Sequence, residues 1–181
     1  MANGFSLQEF MSARTDFARG YTFYATFPSG MPGTSLVVDT KYLVKSTSLP
    51  VGTITPIETD WQGNKYKIAG TQEFTDFTIT FNVDPDSEVR KSFVEWQTLI
   101  HNPGNNEHGI PGVGNNGYMT DILLEHLSHL DGSTKMTYLL LGAWPTAVGE
   151  MALDYSSQEV ATFDVTFVYQ RHEVNESIGK A

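Results

Sequence analysis

The chain has 181 residues, 40% hydrophobic and 12% aromatic, which suits one domain with a real core and is too apolar for a disordered polymer. Its 21 acidic residues against 11 basic ones leave a net charge of −10, so tight binding to a phosphate backbone through counterion release is disfavoured. Zero cysteines exclude disulfides, thiol catalysis and thiolate-zinc sites, and no run reaches the roughly 20 apolar residues of a membrane span or looks like a secretory signal, so a soluble product without membrane insertion is expected.

At the N-terminus, "FSLQEFMSA" (5–13) places Phe5 or Leu7 near Phe10 and Met11 at helical spacing, which predicts a short amphipathic helix. The aromatic and β-branched runs "YTFYATF" (21–27) and "YLVKSTS" (42–48), bounded by Pro and Gly, predict strands. Between Leu49 and Lys65, two prolines and two glycines interrupt polar residues among which Ile54, Ile57 and Trp61 stand. That pattern predicts a long loop or hairpin tip with exposed apolar groups, as interfaces have. In "QEFTDFTITFNV" (72–83), Phe77, Ile79, Phe81 and Val83 alternate with Asp76, Thr78, Thr80 and Asn82, the signature of a strand with one buried and one polar face.

The period changes at Asp84. Asp84 as N-cap, Pro85 at the first helical position and Asp86 and Glu88 in the first turn predict a helix over about 85–100. Its single apolar stripe is Val89, Phe93, Trp96 and Ile100. Residues 101–118 hold five Gly, five Asn and two Pro and read as a flexible insertion. In the next segment, Leu123, Leu127 and Leu130 would suit a helix, but Asp131-Gly132 followed by "TKMTYLLL" signals a hairpin, and two antiparallel strands are the choice. Corners are expected at Gly142-Ala143-Trp144-Pro145 and at Val148-Gly149-Glu150. A last strand, Glu159 to Tyr169, sets Ala161, Phe163, Val165, Phe167 and Tyr169 opposite Thr162, Asp164 and Thr166, and a polar tail at 171–181 is expected to fray. A single domain over 1–181 follows, since neither repeat nor linker stands out.

Chemistry finds little support. His101, Glu107 and His108 share a loop, but a solvated polar turn is the stronger reading, because a structural metal site needs about four fixed ligands. Glu125-His126 with His129 has the wrong order for a zinc-protease motif, and on a strand a separation of three sends the two His to opposite faces. The "GIPGVGNNG" run lacks the Lys and flanking elements of a phosphate loop, no nucleophile elbow occurs, and the carboxylates show no acid–base pairing. Neither an enzymatic site nor a cofactor is expected.

Several stretches, taken in order, resemble the tail tube proteins of contractile-tailed, T4-like bacteriophages: "DFAR" (16–19), "LPVG" (49–52), "KIAGTQEFTDFTITF" (67–81), "RKSFVEWQ" (90–97), "GAWPTAVGEMALDY" (142–155) and "EVATFDVTF" (159–167). The longer N-terminal region, the 101–118 insertion and the C-terminal tail depart from that pattern. The resemblance implies a mainly β fold of two packed antiparallel sheets, a sandwich or barrel wall, with one flanking helix. It implies six subunits joined into a ring with a continuous barrel, and rings stacked into a hollow tube that conducts DNA inside a contractile sheath.

The implied partners are further copies of the chain, the tail sheath protein, baseplate and tail-terminator proteins, and a tape-measure protein inside the tube. Genomic DNA would pass through without specific binding. The implied location is the virion tail, assembled in host cytoplasm. The same architecture would serve a contractile injection or type VI-like secretion system or a baseplate tube initiator, and the strand pattern alone would also fit a carbohydrate-binding β-sandwich. On the phage reading, Asp76, Thr78, Thr80, Thr162, Asp164 and Thr166 are expected to face the lumen, and Ile54, Ile57 and Trp61 to lie in a ring-stacking loop. The net charge then gives a ring of about −60, a nonstick surface for DNA within about 8 Å of the wall.

Overall fold

The computed structural model describes residues 18–28, 32, 40–105, 107–109, 117–156 and 158–176. The helix expected at 5–13 lies outside the described residues. The elements are β1 (Phe23–Thr26), β2 (Val44–Thr47), β3 (Gly52–Trp61), β4 (Asn64–Phe74), β5 (Phe77–Asn82), α1 (Glu88–Ile100), β6 (His101–Asn102), β7 (Glu107–His108), β8 (Thr120–Leu127), β9 (Thr134–Val148), β10 (Thr162–Val168) and β11 (Arg171–Glu176), with a 3-10 turn at Thr40–Tyr42.

Two antiparallel sheets share the 15-residue strand β9. Up to Leu141, β9 pairs with β8 on one side and β11 on the other, which gives the order β1-β8-β9-β11. From Trp144 onward it pairs with β10, and the second sheet runs β9-β10-β5-β2. The changeover occurs at Gly142, whose φ of 64° is one that glycine adopts without strain. Its N–H donates to Asp121 Oδ1 at 3.0 Å, and a Cβ there would stand 3.0 Å from Gln170 Cγ. The Gly-Ala-Trp-Pro corner is therefore a change of sheet within one strand. Pro145 follows where β9 is an edge, the sheet position that tolerates a missing N–H. At the second corner, the Gly149 N–H donates to the Asp164 carbonyl at 2.6 Å.

The core forms where alternation and helical periodicity meet. Phe77, Ile79 and Phe81 of β5 and Phe163, Val165 and Phe167 of β10 fall on one face of the second sheet and are buried. Val89, Phe93 and Trp96 of α1 close over them and are fully buried, while Ile100 is partly buried against the cluster. The rings interlock, with Phe81 and Phe93 centroids 5.1 Å apart and Phe93 and Trp96 at 6.3 Å. The first sheet contributes Ala25, Ile122, Leu124, Leu140 and Ala143. Trp96 also donates its indole N–H to the Tyr118 carbonyl at 2.7 Å, so its one polar atom is satisfied inside the core.

Several boundaries differ from the sequence reading. The helix starts at Glu88 rather than 85, because Pro85 and Asp86 form a turn and Ser87 takes a left-handed φ of 53°. Ser87, not Asp84, is therefore the N-cap, although the Asp84 carboxylate still accepts from the Glu88 N–H at 2.8 Å and the Val89 N–H at 3.3 Å. Residues 72–83 are not one strand: Gln72–Phe74 end β4, and Thr75 and Asp76 link it to β5. Within the 101–118 insertion, His101 and Asn102 pair with His108 and Glu107, a short ladder that the breaker-rich composition hid. The last core strand starts at Thr162 instead of Glu159. The polar tail does not simply fray: Arg171–Glu176 pair with Leu141–Met136 of β9, since main-chain bonding to an open strand edge needs no apolar pattern. The hairpin chosen for 119–144 is present as β8 and β9, and its loop is tied by the Asp131 carboxylate, which accepts from the Ser133 N–H at 3.1 Å and its hydroxyl at 2.8 Å. A hydrogen bond from the Ser128 side chain, with those from Ser133, holds the Asp131 carboxyl far below its ordinary pKa.

Candidate interaction surfaces

The outer face of the β5–β10 ladder is built from short polar side chains. Register sets Thr162 opposite Asn82, Asp164 opposite Thr80 and Thr166 opposite Thr78, so these six share the face turned away from α1. Thr78 and Asp164 are exposed and the others half-buried, and the hydroxyls of Thr78 and Thr166 lie 3.3 Å apart. Ser46 of β2 continues the row opposite Thr80. Beside Ser46, Lys45 is the bulged residue of that edge strand and is exposed. Asp76 stands outside this ladder, in the link between β4 and β5, so alternation does not fix its direction.

The second surface is the hairpin of β3 and β4, which forms a two-stranded sheet of its own. Gln62 and Gly63 both have positive φ, 49° and 84°, as a two-residue turn of the primed type requires. Register places Ile57 opposite Ile68, Thr59 opposite Tyr66 and Trp61 opposite Asn64, an apolar face. The other face carries Glu58 opposite Lys67 and Asp60 opposite Lys65, with Glu58 receiving Lys67 at 3.0 Å and Lys65 at 3.6 Å. Ile54 lies beyond a register shift between Ile54 and Pro56, opposite Gln72. Trp61 is 70% exposed and Tyr66 66%, although a soluble subunit gains nothing from displaying them.

At the root of this arm, sequence reasoning missed an aromatic cluster. Phe74 at the end of β4 meets His172 at 5.1 Å and Tyr169 at 5.7 Å, and Tyr138 meets His172 at 6.2 Å. The Tyr169 hydroxyl and His172 Nδ1 are buried without a hydrogen-bond partner among the described residues. Burial, with the Asp76 carboxylate adding to it, raises the Tyr169 pKa above 10.0. The only sequence signal was the continued alternation from Phe167 to Tyr169.

The backbone pairs His101 with His108, but among the described residues no group of three or more His, Asp or Glu is placed to hold a metal. His126 instead sets Nε2 3.2 Å from the Arg19 carbonyl. No described helix is long and apolar enough to cross a membrane.

The sequence profile of the family described as "Phage tail tube protein" matches residues 14–175. The chain is 32% identical over 123 residues to tail tube protein gp19 of Enterobacteria phage T4, covering 67% of this chain and 74% of that one. It is 29% identical over 137 residues to the tail tube protein of Serratia phage KSP90, covering 76% and 75%. Among solved structures, the fold is similar to the tube-terminating cap of the anti-feeding prophage, with a TM-score of 0.66 at 19% identity over 90% of this chain and 93% of that one. It is also similar to a chain of the extended sheath-tube complex of an extracellular contractile injection system, PVC, with a TM-score of 0.64 at 19% identity over 96% and 99%.

Proposed function

We propose that this chain, which belongs to the phage tail tube protein family, is the subunit of a contractile tail's inner tube, in which six-fold rings stack into a hollow conduit. The observation that carries the reading is the two-faced arm. A lone two-stranded hairpin is marginal in water, and no described part of the subunit covers its Ile57, Trp61, Tyr66 and Ile68 face. In a stack, the neighbouring ring supplies that cover. The 32% identity to a phage relative favours a phage tail over a contractile injection system, for which the likeness is one of fold alone.

The role is structural. Sheath, baseplate and terminator proteins are the kinds of partner such a tube has, and a tape-measure protein and then DNA occupy its lumen. Particles are assembled in host cytoplasm and carry the chain in the virion tail. Thr78, Thr80, Thr162, Asp164 and Thr166 line the lumen: they lie on the face opposite α1, hold one carboxylate and no cation, and so offer a duplex no counterion-releasing contact. Asp164→Lys tests this without touching a buried side chain. Tubes of normal dimensions that deliver DNA slowly, most of all at low salt where screening is weakest, are the expected outcome. Failed ring formation would place Asp164 in an interface, and normal delivery at low salt would put the threonine face outside the lumen.

A further inference from the structure

If the threonine face is the inner wall, then α1, packed on the opposite face of the same sheet, lies on the side of that sheet turned away from the lumen. Its solvent side is not featureless. Ser87, Arg90, Lys91, Val94 and Glu95 border a groove of about 450 Å³ that Met151 closes from the β9–β10 connection. Val94 is 40% exposed in the middle of a helix whose other face already fills the core. Its lining holds two cations and one carboxylate, on a chain whose net charge is −10, with Asp86, Glu88 and Glu150 adjoining it in sequence. Arg90 holds its place by donating from Nη2 to the Gly149 carbonyl at 3.3 Å, yet its Nε is buried without a partner. Lys91 Nζ reaches the Asp86 carbonyl at 2.7 Å, and the ion pairs among the described residues involve neither cation.

We propose that this groove is the sheath dock, and that it takes a sheath segment carrying a carboxylate beside an apolar side chain. The apolar group would lie against Val94 and Met151 and the carboxylate against the Arg90 and Lys91 pair, where a charge-assisted bond is stronger than one between neutral groups. Such a contact is suited to a tube that must release its sheath. It is small, its charged part is screened by salt, and it leaves the tube's own fold untouched. The inference rests on the lumen assignment above, because only that places α1 outward.

The test uses assembled tails of the full chain with its cognate sheath protein. A photo-crosslinking residue at position 94 is expected to give a tube–sheath adduct, and one at position 78 none. An adduct from 78 and none from 94 would overturn both the dock and the lumen assignment. Absence of an adduct from both positions in sheathed tails would overturn the dock alone. Separately, Lys91→Glu, at an exposed position, is expected to leave tube formation and melting temperature unchanged while cutting sheath co-sedimentation with preformed tubes at least fivefold; Lys91→Arg should retain it. Unchanged co-sedimentation of Lys91→Glu would contradict the proposed charge pairing.

Discussion

The β5–β10 ladder and the β3–β4 arm are both antiparallel pairs with distinct faces, yet they have opposite fates. The first covers its apolar face with α1 and buries Phe77, Ile79, Phe81, Phe163, Val165 and Phe167. The second leaves every residue of β3 exposed. Hydrogen-bonded pairing is common to both, so pairing does not distinguish wall from arm. What distinguishes them is whether the subunit itself supplies the second layer. The wall is finished within one chain, whereas the arm's apolar face awaits a neighbour.

Breaking the wall should have the largest effect. Trp96→Ala removes a fully buried side chain together with its bond to the Tyr118 carbonyl, and core Trp truncation costs about 3–5 kcal/mol. Much of an ordinary domain's stability would be lost, and insoluble or unassembled protein is expected. A soluble variant with unchanged chemical denaturation would show that α1 does not hold the wall.

Where arm and wall meet, the expected change is smaller and of opposite sign. Tyr169→Phe deletes a buried hydroxyl that has no partner among the described residues, so a gain of about 1 kcal/mol is predicted in urea titrations. The pH dependence sharpens the test. A pKa raised in the fold means that the unfolded chain loses the tyrosine proton first, so stability is constant below the ordinary value of 10.0 and falls as pH rises beyond it. The Phe variant should lose that component of the alkaline decline.

For the arm, the smallest effect on the subunit accompanies the largest on the polymer. Ile57→Ser with Trp61→Ser alters only exposed groups and should shift subunit stability by no more than about 0.5 kcal/mol. Tube growth should stop nonetheless, read as loss of pelletable polymer. Normal growth would remove the arm from the stacking role.

The same contrast explains what the sequence disclosed. Phe77, Ile79 and Phe81, and Phe163, Val165 and Phe167, alternate because one face is buried inside the subunit, and Val89, Phe93 and Trp96 recur at helical spacing for the same reason. Elements without an internal cover wrote weaker patterns. In the arm, Ile57, Thr59 and Trp61 interleave with Glu58 and Asp60 around a Gln62-Gly63 turn that lacks the usual Asn or Asp, so only a loop or hairpin tip was legible. β11 was invisible because "RHEVNE" carries no alternating apolar pattern; it joins β9 through main-chain pairing and the His172 ring against Tyr138. The Asp84 carboxylate was legible as a partner for the first helical N–H groups, but the left-handed Ser87 that takes the N-cap position and moves the helix start to Glu88 has no signal in residue type. The threonine row was readable from alternation, whereas the docking groove was not, since it depends on Met151 coming back across α1 from 60 residues away.

The most direct test is electron cryo-microscopy of the purified full-length chain at high concentration. The account predicts stacked six-fold rings in which the arm crosses from one ring to the next and Thr78, Thr80 and Thr166 line the channel. Monomers at every concentration, or rings with that face turned outward, would contradict it.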